Sequence, residues 1–252
     1  MFIYKKRIKT IKNSIFYSLI KYKNEILGFG RRYYGFGDRT INKIKLDKNF
    51  NIIENCNITF RGEDPRCFIY KEKLYILDNW LNDMYLIDYD NKKYIKINIS
   101  GKNLSFINHN NNLYFMHWIK PFILFKFNIE TGKITKIAVD DDKKTYNYEY
   151  RGGTPGYKIN DNEYYGFGHR TKQAWHSDPN TNHTIFKWIV NFQDEKPRIK
   201  IIDIKQPINS KKICDPTSVI EIDNKKYLIT AETDRIWYCE QDYITNVYEI
   251  ND

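Results

Sequence analysis

Long apolar runs are absent from this chain of 252 residues. The apolar stretches near its Lys-rich start, such as Ile15-Phe16-Tyr17, are too short for the core of a signal peptide or for a membrane span. A cytoplasmic protein is therefore expected, or one made in the cytoplasm of a host if its source is viral. Cysteine is scarce: Cys56, Cys67, Cys214 and Cys239 form no C-x-x-C pair, so nothing signals a zinc ribbon or a thioredoxin-type redox pair, and reduced structural thiols are expected. P-loop, dinucleotide fingerprint and Ser/His/Asp order are all missing. His109, His117, His176 and His183 have no carboxylate or cysteine at ligand spacing, so no metal is expected. The formal charge of +10 is not gathered in one stripe, because the lysines lie beside acidic residues. Nucleic acid is accordingly not expected as a partner, although a ligand carrying phosphate would still be attracted.

Helical periodicity is also nearly absent. Residues 1–24 are read as a short helix or an extended closing strand, and residues 25–252 as one domain. That domain is built of β-branched and aromatic runs such as Lys73-Leu74-Tyr75-Ile76-Leu77 and Lys226-Tyr227-Leu228-Ile229-Thr230, separated by turn residues. An internal repeat stands out: Tyr33-Tyr34-Gly35-Phe36-Gly37-Asp38-Arg39-Thr40 returns as Tyr164-Tyr165-Gly166-Phe167-Gly168-His169-Arg170-Thr171. Asp64-Pro65, Leu104-Ser105-Phe106, Thr154-Pro155 and Asp215-Pro216 open successive units, about a propeller blade apart. With one further unit around Gly28–Asn51 the count is five. The expected fold is all-β, a single-domain five-bladed β-propeller, in which these unit starts converge on one mouth of a central channel.

Chemistry is concentrated in Arg61-Gly62-Glu63-Asp64-Pro65-Arg66, where two carboxylates stand between guanidinium groups on a backbone stiffened by proline. Such a run suits a hydroxyl-rich or anionic ligand. Asp64 is the expected proton donor: Glu63 next to it raises its pKa by repulsion, while Arg61 and Arg66 oppose that shift. An Asx turn at Asp64 is the competing structural role. Glu63 is a candidate acceptor for a sugar hydroxyl, and Arg66 is a candidate for orienting Asp64 or binding substrate. Arg151, His169 and Lys120 follow or open the inner-strand motifs and are candidates for an anion subsite, joined by Arg31 of the first unit. His169 takes the place of Asp38 in the repeat. Asp88-Tyr89-Asp90 and Asp140-Asp141-Asp142 fall in hairpin turns and read as solvated loop tips.

Several of these motifs resemble those of glycoside hydrolase family 130, the β-mannoside phosphorylases, and of the related β-1,2-mannosyltransferases. Gly62-Glu63-Asp64-Pro65-Arg66 resembles the family's E-D-P-R signature. Lys102-Asn103-Leu104-Ser105-Phe106 with His117-Trp118-Ile119-Lys120-Pro121 is similar to its third blade, with Leu104 in place of a Trp. Arg151-Gly152-Gly153-Thr154-Pro155 with Tyr165-Gly166-Phe167-Gly168-His169 is similar to the G-G-T-P blade, and Ala231-Glu232-Thr233-Asp234 to the last one. The resemblance spans about residues 25–240 in the expected order. It implies inverting glycosyl transfer with Asp64 as general acid/base and with Lys102, Asn103 and Asp234 on sugar hydroxyls. Inorganic phosphate or a sugar phosphate is the implied co-substrate, and an oligosaccharide or glycan the partner. The alternatives are an inverting hydrolase with a second carboxylate such as Glu232, and a glycan-binding propeller without catalysis. No oligomeric state is implied.

Overall fold

The computed structural model describes residues 1–8, 14–33, 39–80, 83–99, 101, 103–139, 148–172, 182–234 and 243–251. Within these the chain is all-β, with 21 strands, and no helix is long and apolar enough to cross a membrane.

Three four-stranded antiparallel meanders come first. One is β2 (Ser14–Tyr22), β3 (Glu25–Tyr33), β4 (Arg39–Leu46) and β5 (Ile52–Arg61). The second is β6 (Arg66–Tyr70), β7 (Lys73–Trp80), β8 (Asp83–Asp88) and β9 (Lys93–Ile97). The third is β10 (Ser105–His109), β11 (Asn112–Trp118), β12 (Ile123–Phe127) and β13 (Ile134–Val139). In the fourth, β14 (Tyr148–Arg151) and β15 (Tyr157–Lys158) both pair with β16 (Glu163–Lys172), which is followed by β17 (His183–Asn191) and β18 (Arg198–Asp203). The fifth contains β19 (Ile213–Ile222), β20 (Lys225–Thr233) and β21 (Ile244–Ile250), and its fourth strand is β1 (Phe2–Ile8). One parallel pair, His183 with Ile213, joins the last two groups into a single hydrogen-bonded sheet.

Within residues 1–24, Phe2–Ile8 and Ser14–Tyr22 are therefore strands where a helix was one expectation. Ile15-Phe16-Tyr17 belongs to β2, whose β-branched and aromatic side chains are buried. The first sheet begins at Ser14, inside the segment that the sequence set apart. β1 carries lysines on an outer edge, a common guard against unwanted strand pairing.

The units share a local signature in their first hairpins. Lys23-Asn24 (φ 47° and 64°), Lys71-Glu72 (47° and 62°), Asn110-Asn111 (47° and 57°) and Asp223-Asn224 (49° and 62°) are two-residue turns with both residues left-handed. That geometry matches the right-handed twist of the flanking strands.

The hairpins also correct the register of the internal repeat. Glu163-Tyr164-Tyr165-Gly166-Phe167-Gly168-His169-Arg170 opens the second strand of its unit, and so does Glu25-Ile26-Leu27-Gly28-Phe29-Gly30-Arg31-Arg32. His169 thus corresponds to Arg31, not to Asp38; residues 34–38 lie outside the described ones. The Gly-Phe-Gly triplet is spelled twice, seven residues apart, and sheet position selects the earlier copy. Gly168 is needed there, because a Cβ would lie 2.3 Å from the Arg151 carbonyl oxygen.

Packing holds the sheets face to face. Phe68 of β6 stacks on Phe106 of β10 with centroids 4.4 Å apart, and Trp188 of β17 is completely buried. The first strands also bond to one another: Ser18 Oγ accepts from Cys67 N at 3.1 Å, Ser218 Oγ from Leu19 N at 2.8 Å, and Ser105 Oγ from Gly153 N at 3.3 Å. Each serine satisfies a backbone donor on the unpaired edge of a sheet. A cavity of about 250 Å³ is lined by Leu19, Cys67, Phe106, Gly156 and Ser218, among others, so the first strands of all the units border one space.

Candidate active site

The turn between β5 and β6 presents the acidic pair. Gly62 has φ +152°, and a Cβ there would lie 2.1 Å from Asp78 Oδ1 of β7, so only glycine fits. Asp78 Oδ1 accepts from Glu63 N at 2.9 Å and pins the turn from behind. Asp64 follows in the left-handed region with φ 46°, a conformation that costs a residue with a Cβ about 1 kcal/mol and that Asp tolerates better than most. Its Oδ1 accepts from Arg31 Nη1 at 2.7 Å, and Glu63 Oε2 lies 3.6 Å from the same nitrogen. A guanidinium facing both carboxylates thus comes from β3.

Arg66 is buried, with 1% of its surface exposed. Its Nε donates to Gly153 O at 2.7 Å and its Nη1 to Pro65 O at 2.9 Å, so it ties the acidic turn to the fourth unit. Gly153 follows Arg151 and Gly152, and a Cβ on Gly152 would lie 2.2 Å from the Asn103 carbonyl oxygen. Asn103 is half-buried with φ 60° and thereby borders the same segment. Arg151 ion-pairs with Glu149 and sits opposite His169 in the β14–β16 pairing. Lys120 bridges to Tyr150 through its backbone and holds its Nζ 5.6 Å from the Tyr150 ring centroid, one residue from Arg151.

Sequence reading missed three carboxylate and imidazole groups at this end. Asp215 was noted only as a unit marker, and His183 was judged to lack a carboxylate. Folding supplies one: Asp215 Oδ1 accepts from His183 Nδ1 at 2.7 Å and lies 3.5 Å from His169 Nδ1. The two imidazole rings stack, with centroids 4.9 Å apart and planes at 15°. Burial alone would raise the Asp215 carboxyl, but His183 and His169 beside it hold it below the usual carboxylate range. Burial pushes His169 down to about 3 against the pull of Asp215, so its ring is neutral at neutral pH. Burial pushes Asp78 the other way, up to about 8, reinforced by the nearby charge of Asp64. The repetition of Asp64-Pro65 in Asp215-Pro216 was the available signal for Asp215; no local pattern marks His183 or Asp78.

Asp234, expected on sugar hydroxyls, is exposed, accepts from Lys212 N at 3.1 Å and pairs with Lys211 Nζ at 2.6 Å; none of these contacts belongs to the Asp64 cluster. Lys102 lies outside the described residues. Glu232 is fully buried, with Oε1 accepting from Thr230 Oγ1 at 2.5 Å and Tyr248 OH at 2.8 Å, and Oε2 from Lys211 N at 3.0 Å. Three protein donors bind its two oxygens, so this carboxylate is engaged within the protein. Asp88 is buried at the end of β8, where it accepts from Asn91, so it is not the solvated loop tip expected, and Asp90 accepts from Tyr22 and Lys23 of the first unit; residues 140–142 lie outside the described ones.

No family model and no curated protein sequence matches the chain. Solved structures do. A mannose phosphorylase from Leishmania mexicana, solved in complex with phosphate, superposes with a TM-score of 0.63 at 11% identity, over 100% of this chain and 91% of that one. The fold is that of the GH130 mannoside phosphorylases. A structure of that family, described as containing hydrolases that target β-1,2 mannosidic linkages in Candida mannan, matches with a TM-score of 0.59 at 11% identity, over 94% and 84% of the two chains. A glycosyl hydrolase from Bacteroides ovatus gives 0.60 at 10% identity, over 97% and 85%. At these identities the GH130-like likeness is one of fold.

Proposed function

We propose that the five sheets are the blades of a single-domain five-bladed β-propeller, and that the chain is a carbohydrate-active enzyme performing inverting glycosyl transfer on a β-mannoside. The propeller reading is supported by the shared cavity of the first strands and by β1, which completes the last sheet from the other end of the chain. The observation that carries the function is the Asp64 turn. A carboxylate held by Arg31 on a left-handed turn is tied through the neighbouring Arg66 to Gly153, two residues from Arg151, which pairs with His169, and this supports a proton-transfer group beside an anion subsite.

In the phosphorolytic direction, Asp64 gives its proton to the glycosidic oxygen. An oxygen of phosphate attacks the anomeric carbon from the opposite face, the bond to the departing alcohol breaks, and a sugar 1-phosphate of inverted configuration forms. In synthesis the same carboxylate takes the proton from the acceptor hydroxyl. An inverting site needs space between the proton donor and the attacking group, and here cationic side chains take the place of a second carboxylate. Glu63 and Asn103 are assigned to sugar hydroxyls in this reading, and Arg66 is a positioning residue through its bonds to Pro65 and Gly153. The occupied oxygens of Glu232 weigh against the hydrolase reading that relied on it.

The test is sugar release from a panel of β-linked disaccharides, with and without inorganic phosphate, for the wild type and Asp64→Asn. Phosphate-dependent formation of a sugar 1-phosphate that disappears in the variant is expected. Release indifferent to phosphate would replace phosphorolysis by hydrolysis. Turnover that survives Asp64→Asn would remove Asp64 from its role.

A further inference from the structure

We propose that His169, His183 and Asp215 form a binding site for a divalent first-row transition metal of the zinc class. The three residues come from β16, β17 and β19, and their ligand atoms all lie within 4.8 Å of one another. The site shares His169 with the anion subsite proposed above but uses Nδ1 of that ring, and the inference rests on the placement of the donor atoms and on the unbonded His169 Nδ1.

The geometry is close to what a metal demands. Zinc held by imidazole and carboxylate at about 2.0–2.1 Å places neighbouring ligand atoms roughly 3.4 Å apart in a tetrahedron. Here His169 Nδ1 and His183 Nδ1 lie 3.5 and 2.7 Å from Asp215 Oδ1, so shifts of under about 1 Å would seat the ion. The near-parallel rings bring both Nδ1 atoms to the same carboxylate oxygen. Two imidazoles and one carboxylate favour zinc and its neighbours over calcium and magnesium, which prefer all-oxygen shells.

A second observation points the same way. His169 is buried, and its Nδ1 makes no hydrogen bond. A buried polar atom left unsatisfied costs about 1–3 kcal/mol, and the corresponding position in the first unit is satisfied by Arg31 on Asp64 at 2.7 Å. Coordination removes that cost and leaves Nε2 of the same ring for the anion subsite. His183 is half-buried and supplies a side of entry.

The test uses the untagged full chain stripped with chelator and titrated calorimetrically with Zn²⁺, then with Co²⁺ as a spectroscopic probe. One equivalent is expected, at least tenfold weaker in Asp215→Asn and in His183→Gln and unchanged in His117→Gln. A crystal soaked in Zn²⁺ is expected to give an anomalous peak between the three side chains. Should Asp215→Asn fail to fold, His183→Gln and the anomalous peak decide. Failure of the wild type to bind one equivalent, binding that His183→Gln does not weaken, or a peak elsewhere would each overturn the proposal.

Discussion

Asp78 offers the sharpest thermodynamic test of the site's construction. Burial, with the charge of Asp64 adding to it, lifts its carboxyl from 3.8 to about 8. In the unfolded chain the group ionises above about pH 4; in the folded chain it keeps its proton until about pH 8. Over that window the native state binds more protons than the unfolded state, so this residue makes stability fall as pH rises, by about 1.4 kcal/mol per pH unit, and the loss levels off above pH 8. The accumulated penalty reaches an upper bound of about 4 kcal/mol at pH 7. Asp78→Asn removes the titration while keeping an Oδ1 to accept from Glu63 N, a bond of 2.9 Å in the wild type.

The assay is urea unfolding of both proteins at pH 5, 6, 7 and 8. Taking the difference between them cancels every other titrating group. The variant is expected to be the more stable protein by a margin that grows with each step in pH, and the Asp64 turn to keep its shape. A margin that stays constant across the series would mean that Asp78 is ionised in the fold, and the burial argument would fail.

Two substitutions probe the neighbouring supports. Arg66→Met leaves the Gly153 and Pro65 carbonyls without their buried donor and removes a cation beside Asp215; a loss of about 3–5 kcal/mol in unfolding free energy is expected, only partly recovered by Arg66→Lys, whose single ammonium cannot reproduce the fork. Gly62→Ala forces a Cβ against Asp78 Oδ1 at 2.1 Å and a side chain onto φ +152°; about 2–3 kcal/mol of destabilisation is expected, together with a fall in kcat from displacing Asp64, and an alanine variant of wild-type stability and rate would contradict the turn geometry.

The all-β class was legible because its signal is local: alternating and β-branched runs with turn pairs such as Asp223-Asn224 between them. The Glu63-Asp64-Pro65 turn was legible because its chemistry is contiguous. β1 was harder to read, since most of its residues are exposed and it has no buried face to impose a period of two; its pairing with β21 spans almost the whole chain. Asp78 and His183 were invisible for a related reason. Their contacts with Glu63 and Asp215 cross 15 and 32 residues, and a contact of that kind leaves no spacing rule in the sequence.

The corrected register of the repeat makes a deeper regularity visible. Arg31 on the second strand of the first unit meets Asp64 at the start of the next; His169 on the second strand of the fourth unit meets Asp215 at the start of the fifth. In both, the Asp of an Asp-Pro pair meets the residue that follows Gly-Phe-Gly, although Asp64 sits on a left-handed turn and Asp215 within β19. The two copies also differ in the partner they give the carboxylate. Arg31 offers Asp64 a guanidinium donor to Oδ1 at 2.7 Å. His169 offers Asp215 an imidazole whose Nδ1 makes no hydrogen bond, and His183 Nδ1 donates to the same Asp215 oxygen at 2.7 Å. The scaffold thus places an Asp beside the second strand of the preceding unit in both places, and the residue after Gly-Phe-Gly, Arg31 or His169, decides whether that Asp meets a guanidinium or an imidazole.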